Sequence, residues 1–386
     1  MAILLFTLLV VLCVLILHPY TTYPISLFIY RSVNGKRKIV RSAPEPATFA
    51  ILCCAYNEAA SIEEKIRNSL EIRRKLGNVD LIFYSDGSSD GTNEILLKYA
   101  ASIDAVIGTE RRGKTAGLNI ISKRTSAEIL IFTDANVTID VDSIGKLPSN
   151  FQNADVGLVS GSLRFDKAEG SVAELSNDYR GFEEVLKSLE SDTGSIVYTD
   201  GTLFAIRRSI FREIPEFLTD DLFTAINVLL QRHLIVSSPD LIAYENAAAK
   251  RSDELKRRVR IGCHVFNCHL YLWPEIRKLD SVTLYKYLSH KLVRWFSGYF
   301  LISSYIVFSA IVFHYFGALV LFAVLALTAL TFTVSALIRV PLISKICDAI
   351  LVMIAFGYGV YLACRGEKFR TWKVASSARK ATSSGT

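Results

Sequence analysis

Apolar residues along the chain fall into two kinds of run. Short runs ending in a polar or glycine-rich tip recur from Ala47–Ala55 through Val79–Ser85, Ala105–Gly108, Ile129–Val137 and Val156–Ser160 to Leu234–Ser238. They are continuous rather than alternating and rich in β-branched residues, which predicts strands buried on both faces. Helical patterns lie between them. Ser61 and Glu64 read as a capping box, Asp90 or Thr92 as caps for a helix from Asn93, and Ser171 and Glu174 as a second box for an amphipathic helix to about Glu190. Leu222, Phe223, Ile226, Leu229 and Leu230 mark a further helix, with Asp220 and Asp221 in its first turn. Strands alternating with helices predict right-handed crossovers and an α/β, mostly parallel sheet, with the loops after the first four strands on one edge. Ligands of such sheets bind outside the carboxyl ends of the strands, so Asp134, at the tip of Ile129–Val137, faces the candidate site.

The long runs are of another kind. Residues 3 to 17 are apolar except for Thr7, and the uncharged stretch continues to Tyr30; Trp295 to Ile338 holds no Asp, Glu, Lys or Arg. These lengths predict an amino-terminal membrane anchor over 1–30 and two spans over 295–338, turning near His314-Tyr315-Phe316-Gly317. A shorter run, Ala349–Cys364, is led by Asp348 and predicts a third carboxy-terminal segment over 347–364, spanning or re-entrant. A re-entrant path is preferred, because spanning would carry the basic tail 365–386 (Arg365, Lys368, Arg370, Lys373) to the outer side, against the positive-inside rule. Arg31, Lys36, Arg37, Lys38 and Arg41 follow the first run and mark its cytoplasmic end, which points the amino terminus outward and makes 45–290 a cytosolic domain.

Composition agrees with that division. A mean hydropathy of +0.32 is too high for a purely soluble enzyme. The net charge of +7 is concentrated beside the hydrophobic runs, where anionic headgroups account for it, and no recognition motif accompanies it, so nucleic acid is not an expected partner. Seven scattered cysteines suit reduced thiols. Cys263, His264, Cys268 and His269 do not bring four ligands onto one helix face and read as core rather than zinc.

The polar tips carry the chemistry: Tyr56-Asn57-Glu58, Asp86-Gly87-Ser88-Ser89-Asp90-Gly91-Thr92, Gly113-Lys114 to Asn119, Thr133-Asp134-Ala135-Asn136, Gly201-Thr202, Thr219-Asp220-Asp221 and Arg257 to Arg260. In this order the motifs resemble those of membrane-embedded family 2 glycosyltransferases of the A-type fold, such as cellulose, chitin and hyaluronan synthases and exopolysaccharide sugar transferases. The resemblance extends over almost the whole chain, and implies a Rossmann-like catalytic domain between amino- and carboxy-terminal transmembrane helices.

The resemblance further implies a nucleotide-diphosphate sugar donor, expected to be UDP-linked, whose base and ribose are held by Tyr56, Glu58 and Asp86. Asp86 suits this by accepting from an imide N–H, whereas Asp90 reads as a cap. Lys114 is a mobile charge for the phosphates or nucleotide. Asp134 resembles the first acid of an Asp-x-Asp motif for Mg²⁺ or Mn²⁺; the second position is Asn136, a neutral oxygen ligand that lowers the expected affinity, contacts the ion through water, or does not reach it. Asp221 resembles the general base of inverting transfer and Asp220 its neighbour, which can also cap the helix; the helix dipole is expected to keep both ionised. Arg260 and Arg257 are candidates for the leaving diphosphate, although the basic run can also be an interfacial face. Gly201 and Thr202 would shape the acceptor site by analogy. Processive members carry a tryptophan after the last arginine of this group, where this chain has Ile261. Trp372 resembles a tail motif without a derivable role.

The expected activity is inverting transfer of a sugar to a lipid-linked or polysaccharide acceptor in cell-surface or exopolysaccharide synthesis, at a bacterial inner membrane. The nearer alternative is a processive synthase, for which so few helices would require an export partner or an oligomer. The other is a catalytically silent membrane scaffold, motivated by Asn136 and Ile261.

Overall fold

The computed structural model describes residues 2–37, 47–165, 171–245, 251–338 and 340–369. In chain order the elements are α1 (Ala2–Leu17), α2 (Thr22–Asn34), β1 (Phe49–Ala55), α3 (Ile62–Leu76), β2 (Val79–Asp86), α4 (Thr92–Lys98), β3 (Asp104–Gly108), α5 (Lys114–Ser122), β4 (Ile129–Asp134) and β5 (Val137–Ile139). Two single turns follow, α6 (Val141–Ile144) and α7 (Leu147–Asn150), then β6 (Val156–Phe165), α8 (Ser171–Asp192), β7 (Leu203–Arg207), α9 (Asp220–Leu230), β8 (Leu234–Glu245) and α10 (Arg251–Ile276). The chain closes with α11 (Ser281–Tyr287), α12 (Val293–Trp295), α13 (Ser297–Leu337) and α14 (Pro341–Cys364).

The eight strands form one sheet in the order β3-β2-β1-β4-β7-β6-β8-β5. β1 pairs in parallel with β2 and β4, and β2 with β3, so their carboxyl ends share an edge. Beyond β4 the sheet becomes mixed: β7 runs antiparallel to both β4 and β6, and β5 antiparallel to β8, while β6 pairs in parallel with β8. The departure has a local cause. Backbone contacts tie the turn before β7 to the tip of β4, Asp134 N donating to Thr202 O at 3.4 Å, so β7 starts at the site edge and must run back down the sheet.

Successive residues of each strand feed opposite layers. Ala50, Leu52, Ile82, Tyr84, Leu130 and Phe132 pack towards α5, α9 and α10, whereas Phe49, Ile51, Leu81, Phe83, Ile129 and Ile131 pack on the other face with Ile62, Ile66 and Ile72 of α3. Each fully buried aliphatic or aromatic side chain contributes about 1.5–3 kcal/mol, so the double-sided core holds the strand tips in place. Cys263 and Cys268 belong to the first layer. The expected capping box at α3 does not form. Ser61 stands at the N-cap position, but its hydroxyl donates to Glu58 Oε2 at 2.8 Å instead of accepting from the first turn. The side chains of the second box, Ser171 and Glu174, lie outside the described residues, as do Lys38 and Arg41 of the basic cluster and Arg370 to Thr386, including Trp372 and Lys373.

Three helical segments among the described residues, Ala2–Tyr20, Ser297–Leu337 and Leu342–Cys364, are long and apolar enough to cross a membrane. α13 turns back on itself at Gly317 (φ 80°, ψ −179°); Tyr305 Oη reaches Thr328 Oγ1 at 3.0 Å across the two halves, which are antiparallel. α14 is 24 residues long, starting at Pro341, well before the apolar run, and includes Lys345 and Asp348, the latter paired with Arg251 of α10. It lies close against α10: a Cβ on Gly359 would stand 2.1 Å from Val259 O, and one on Gly262 would stand 2.4 Å from Phe356 O.

The anchor is tied to the sheet domain by a buried polar cluster. Tyr23 Oη of α2 donates to Glu190 Oε1 at 2.5 Å, and His290 bridges Glu190 (2.6 Å) and Glu183 (3.3 Å). Glu183 also pairs with Arg294. Burial pulls the Glu190 carboxyl up, but His290, Lys286 and the tyrosine hydroxyl outweigh it and leave it below the usual range. Arg31 and Lys36 are likewise engaged, both pairing with Asp192 at 3.1 and 2.8 Å.

Candidate active site

The carboxyl edge brings Asp134, Asp220 and Gly201 around one ammonium group. Lys114 opens α5, and its Nζ lies 2.7 Å from Asp134 Oδ1 and 2.9 Å from Asp220 Oδ2, while donating to Gly201 O at 3.3 Å. Burial opposes its charge, yet the two carboxylates outweigh burial and hold it well above the usual lysine range. Asp86 is buried and aims Lys114: its two oxygens accept from Arg112 N and Gly113 N at 2.8 Å each, fixing the turn just before the lysine. Asn119, one helical turn on, exchanges two hydrogen bonds with the Ile214 backbone, and Thr115 Oγ1 donates to Leu218 O at 3.1 Å; both anchor the loop leading to α9.

The tip of β4 is braced by a residue that the sequence pattern had left on a helix face. Lys65 of α3 is fully buried, donating to Thr133 Oγ1 at 2.7 Å and Val137 O at 2.9 Å, on either side of Asp134. Burial brings its ammonium down to about 8.

Asp220 and Asp221 occupy the first turn of α9, as the spacing predicts, but they differ in state. Asp220 pairs with Lys114. Asp221 Oδ1 accepts from Thr219 Oγ1 and Leu222 N, both at 2.6 Å, while a Cβ on Gly201 would come within 3.4 Å of Oδ2. Burial, then the neighbouring Asp220, push the Asp221 carboxyl up to about 6. At neutral pH a carboxyl at about 6 is still mostly ionised, although for Asp221 burial beside a second carboxylate works against the helix dipole. A carboxylate tuned near neutrality suits proton acceptance.

Arg257 and Arg260 lie one turn apart on α10. Arg257 is 3.6 Å from Glu254 and feels Glu245, Asp200 and Asp134; against the opposition of burial, these acids raise it. Burial and then Arg257 bring Arg260 down to about 10, with Asp134 opposing. Both arginines therefore act on Asp134 across the edge. Tyr56 and Glu58 stand on the loop after β1. The Arg111 guanidinium lies 3.6 Å over the Tyr56 ring, and Thr92 Oγ1 accepts from Glu58 N at 2.9 Å. Asp90 does not stand at the N-cap of α4, which is Gly91, but braces the turn before it, accepting from Thr92 N at 3.2 Å and Ala59 N at 3.1 Å.

Asn136 donates through Nδ2 to Glu245 Oε1 at 3.1 Å. Glu245, at the end of β8, was not singled out in the sequence; its Oε2 is buried and makes no hydrogen bond. Burial pushes the Glu245 carboxyl up, Arg257 opposes this, and Asp134 adds to it. Among the described residues no three acid, histidine or cysteine side chains form a metal cluster. The donors at this tip are nevertheless all oxygen, and an orphaned buried carboxylate oxygen stands among them, so the residues fit a hard cation that takes its remaining ligands from phosphate and water.

A cavity of about 550 Å³ opens beside Asp221 and Gly201 and continues past Tyr198, Tyr179 and Trp295 to Val352, Met353 and Phe356 of α14. Ile261, where processive synthases have tryptophan, is in its wall. Of its cations, Arg251 pairs with Asp348, Arg258 with Glu254 and Arg294 with Glu183, while Lys291 lies over the Tyr198 ring.

Residues 50–215 match the family described as Glycosyl transferase family 2. The chain carries a family 2 glycosyltransferase domain. The matched stretch includes the motifs from Tyr56 to Thr202, with Asp221 and Arg260 beyond it. The fold of this glycosyltransferase is similar to that of a mannosyltransferase from Pyrobaculum calidifontis solved with GDP-Man and Mn2+, at a TM-score of 0.69 and 21% identity, over 92% of this chain and 98% of that one. More distant similarities are to mannosyl-3-phosphoglycerate synthase from Rubrobacter xylanophilus (TM-score 0.39, 14% identity, 58% of this chain and 72% of that one) and TarS from S. aureus (0.41, 13%, 67% and 54%). No curated protein sequence matches the glycosyltransferase.

Proposed function

We propose that the chain transfers a sugar, with inversion, from a nucleotide-diphosphate sugar to a lipid-linked acceptor in cell-surface or exopolysaccharide synthesis, working on the cytosolic side of a bacterial inner membrane. The observation that carries this reading is the cavity joining Asp221 to α14. An acceptor lying in it would keep its apolar part against Val352, Met353 and Phe356 while its hydroxyl met the base. Tyrosines, a tryptophan and neutralised charge pairs suit a sugar ring between those ends.

In this mechanism Asp221 takes the proton of the acceptor hydroxyl as that oxygen attacks the anomeric carbon from the face opposite the diphosphate. Gly201 leaves room beside Asp221 Oδ2 for that oxygen, and Thr202 anchors the turn through its backbone. Lys114, Arg257 and Arg260 offset the charge that develops on the departing diphosphate. Tyr56, Glu58 and Asp86 flank the base and ribose; Asp86 would hold the base with lone pairs beyond those given to Arg112 and Gly113. Mg²⁺ or Mn²⁺, held by Asp134 with Asn136, would supply further neutralisation of the pyrophosphate.

Full-length protein in detergent should release nucleoside diphosphate from a panel of UDP-sugars and GDP-mannose when acceptor is added. Membranes incubated with the labelled donor should yield label in organic extract. Label only in high-mass polymer would replace this reading with a processive synthase, and no turnover over the panel would replace it with a scaffold.

A further inference from the structure

The family motif has an acid at the position of Asn136, and the chain has an amide there. Across the β5–β8 pair, Val137 stands opposite Glu245. This register brings the Glu245 carboxylate against the side chain that replaces the acid, Oε1 accepting from Asn136 Nδ2 at 3.1 Å. The other oxygen, Oε2, is buried without a hydrogen bond. A buried carboxylate oxygen with no donor keeps its full desolvation penalty, and a bound cation removes it. The pairing also explains the amide: an aspartate at 136 would set two carboxylates about 3 Å apart, and like charges at that distance disfavour ionisation of both. An amide satisfies one Glu245 oxygen and leaves the second for a ligand.

We propose that Glu245 supplies the second carboxylate of the divalent-cation site, acting with Asp134 in place of the acid absent at position 136. The negative charge missing from the β4 tip is thereby returned from the end of β8. The inference rests on the donor-site reading and is independent of the acceptor.

The test is Mn²⁺ binding by the full-length protein in detergent. Free Mn²⁺ is counted by electron paramagnetic resonance, with and without UDP, and corrected for the Mn–UDP complex. Glu245→Gln should weaken binding by about tenfold or more, as expected for loss of one of two charged ligands. The double variant Asn136→Asp/Glu245→Gln inverts the pair, the new amide donating to the new carboxylate, and should restore affinity to within about threefold of wild type. Restoration excludes general damage to the fold as the cause of the first loss. Unchanged binding by Glu245→Gln, no Mn²⁺ binding by wild type, or equal weakening of single and double variants with intact thermal unfolding would each overturn the proposal. Protein that binds Mn²⁺ with this dependence but turns over no donor would refute the proposed reaction and leave the Glu245 assignment standing.

Discussion

Replacing Asp221 with asparagine keeps the side chain's shape and removes its charge. The amide oxygen can still accept from Thr219 Oγ1 and Leu222 N, so the first turn of α9 keeps its local bonds. Two opposite effects should then appear. Loss of the base should lower turnover by about 10²–10⁴. Stability should rise at neutral pH, because Asp221 is held at about 6 against an ordinary 3.8, and a shift of roughly two units corresponds to about 3 kcal/mol. The folded state binds this proton more tightly than the unfolded one. The wild-type destabilisation is therefore absent below about pH 4, grows between about 4 and 6, and is complete above 6. The variant's gain in unfolding temperature should follow the same window, present at pH 7.5 and absent at pH 3.5. Wild-type kcat/KM should fall tenfold per pH unit below about 6. Nucleoside diphosphate release and thermal unfolding in detergent measure both. A variant with a tenth or more of wild-type turnover, or a wild-type acid limb below pH 4.5, would refute the assignment.

Four further outcomes follow from the same contacts. Gly201→Ala places a methyl beside Asp221 Oδ2, so acceptor KM should rise severalfold with unfolding within about 0.5 kcal/mol of wild type. Lys114→Gln leaves Asp134 and Asp220 facing each other without their cation; a loss of about 2–3 kcal/mol, reduced from the fully buried case, and a raised donor KM are expected from unfolding and kinetics. Lys65→Met deprives Thr133 Oγ1 and Val137 O of their donor, and should cost about 2 kcal/mol while weakening nucleotide binding in a calorimeter. Gly359→Ala drives a methyl into Val259 O and should lower stability by about 1–3 kcal/mol and weaken donor binding through Arg257 and Arg260.

The buried parallel strands were legible because β1, β2 and β4 are apolar on both faces, and their polar tips announced the site edge. β7 was not, since five residues inside a motif carry no pattern of their own. The reading of β8 stopped at Ser238, before Pro239-Asp240. The strand continues past these two exposed residues with its register to β6 shifted between Ser160 and Ser162, and ends at Glu245. That missed length hid Glu245 from the metal argument. Lys65 was hidden for a different reason: lysines on amphipathic helices normally face water, and only the packing of α3 on the sheet reveals the carbonyl and hydroxyl that receive it. The acids of α9 were legible as a pair, but not their different partners: Asp220 meets Lys114, more than a hundred positions earlier, while burial raises Asp221.

The close approach of α10 and α14 couples a long apolar helix to the helix that carries Arg257 and Arg260. With backbone resting on backbone at Gly359 and Gly262, neither helix can slide or roll without the other. A helix of 24 residues is about 36 Å long, and in a thinner bilayer it accommodates by tilting. Here the tilt would be shared with the helix that carries Arg257 and Arg260. Under the proposed reaction, a bilayer thickness that tilts α14 would move the two arginines proposed to hold the diphosphate.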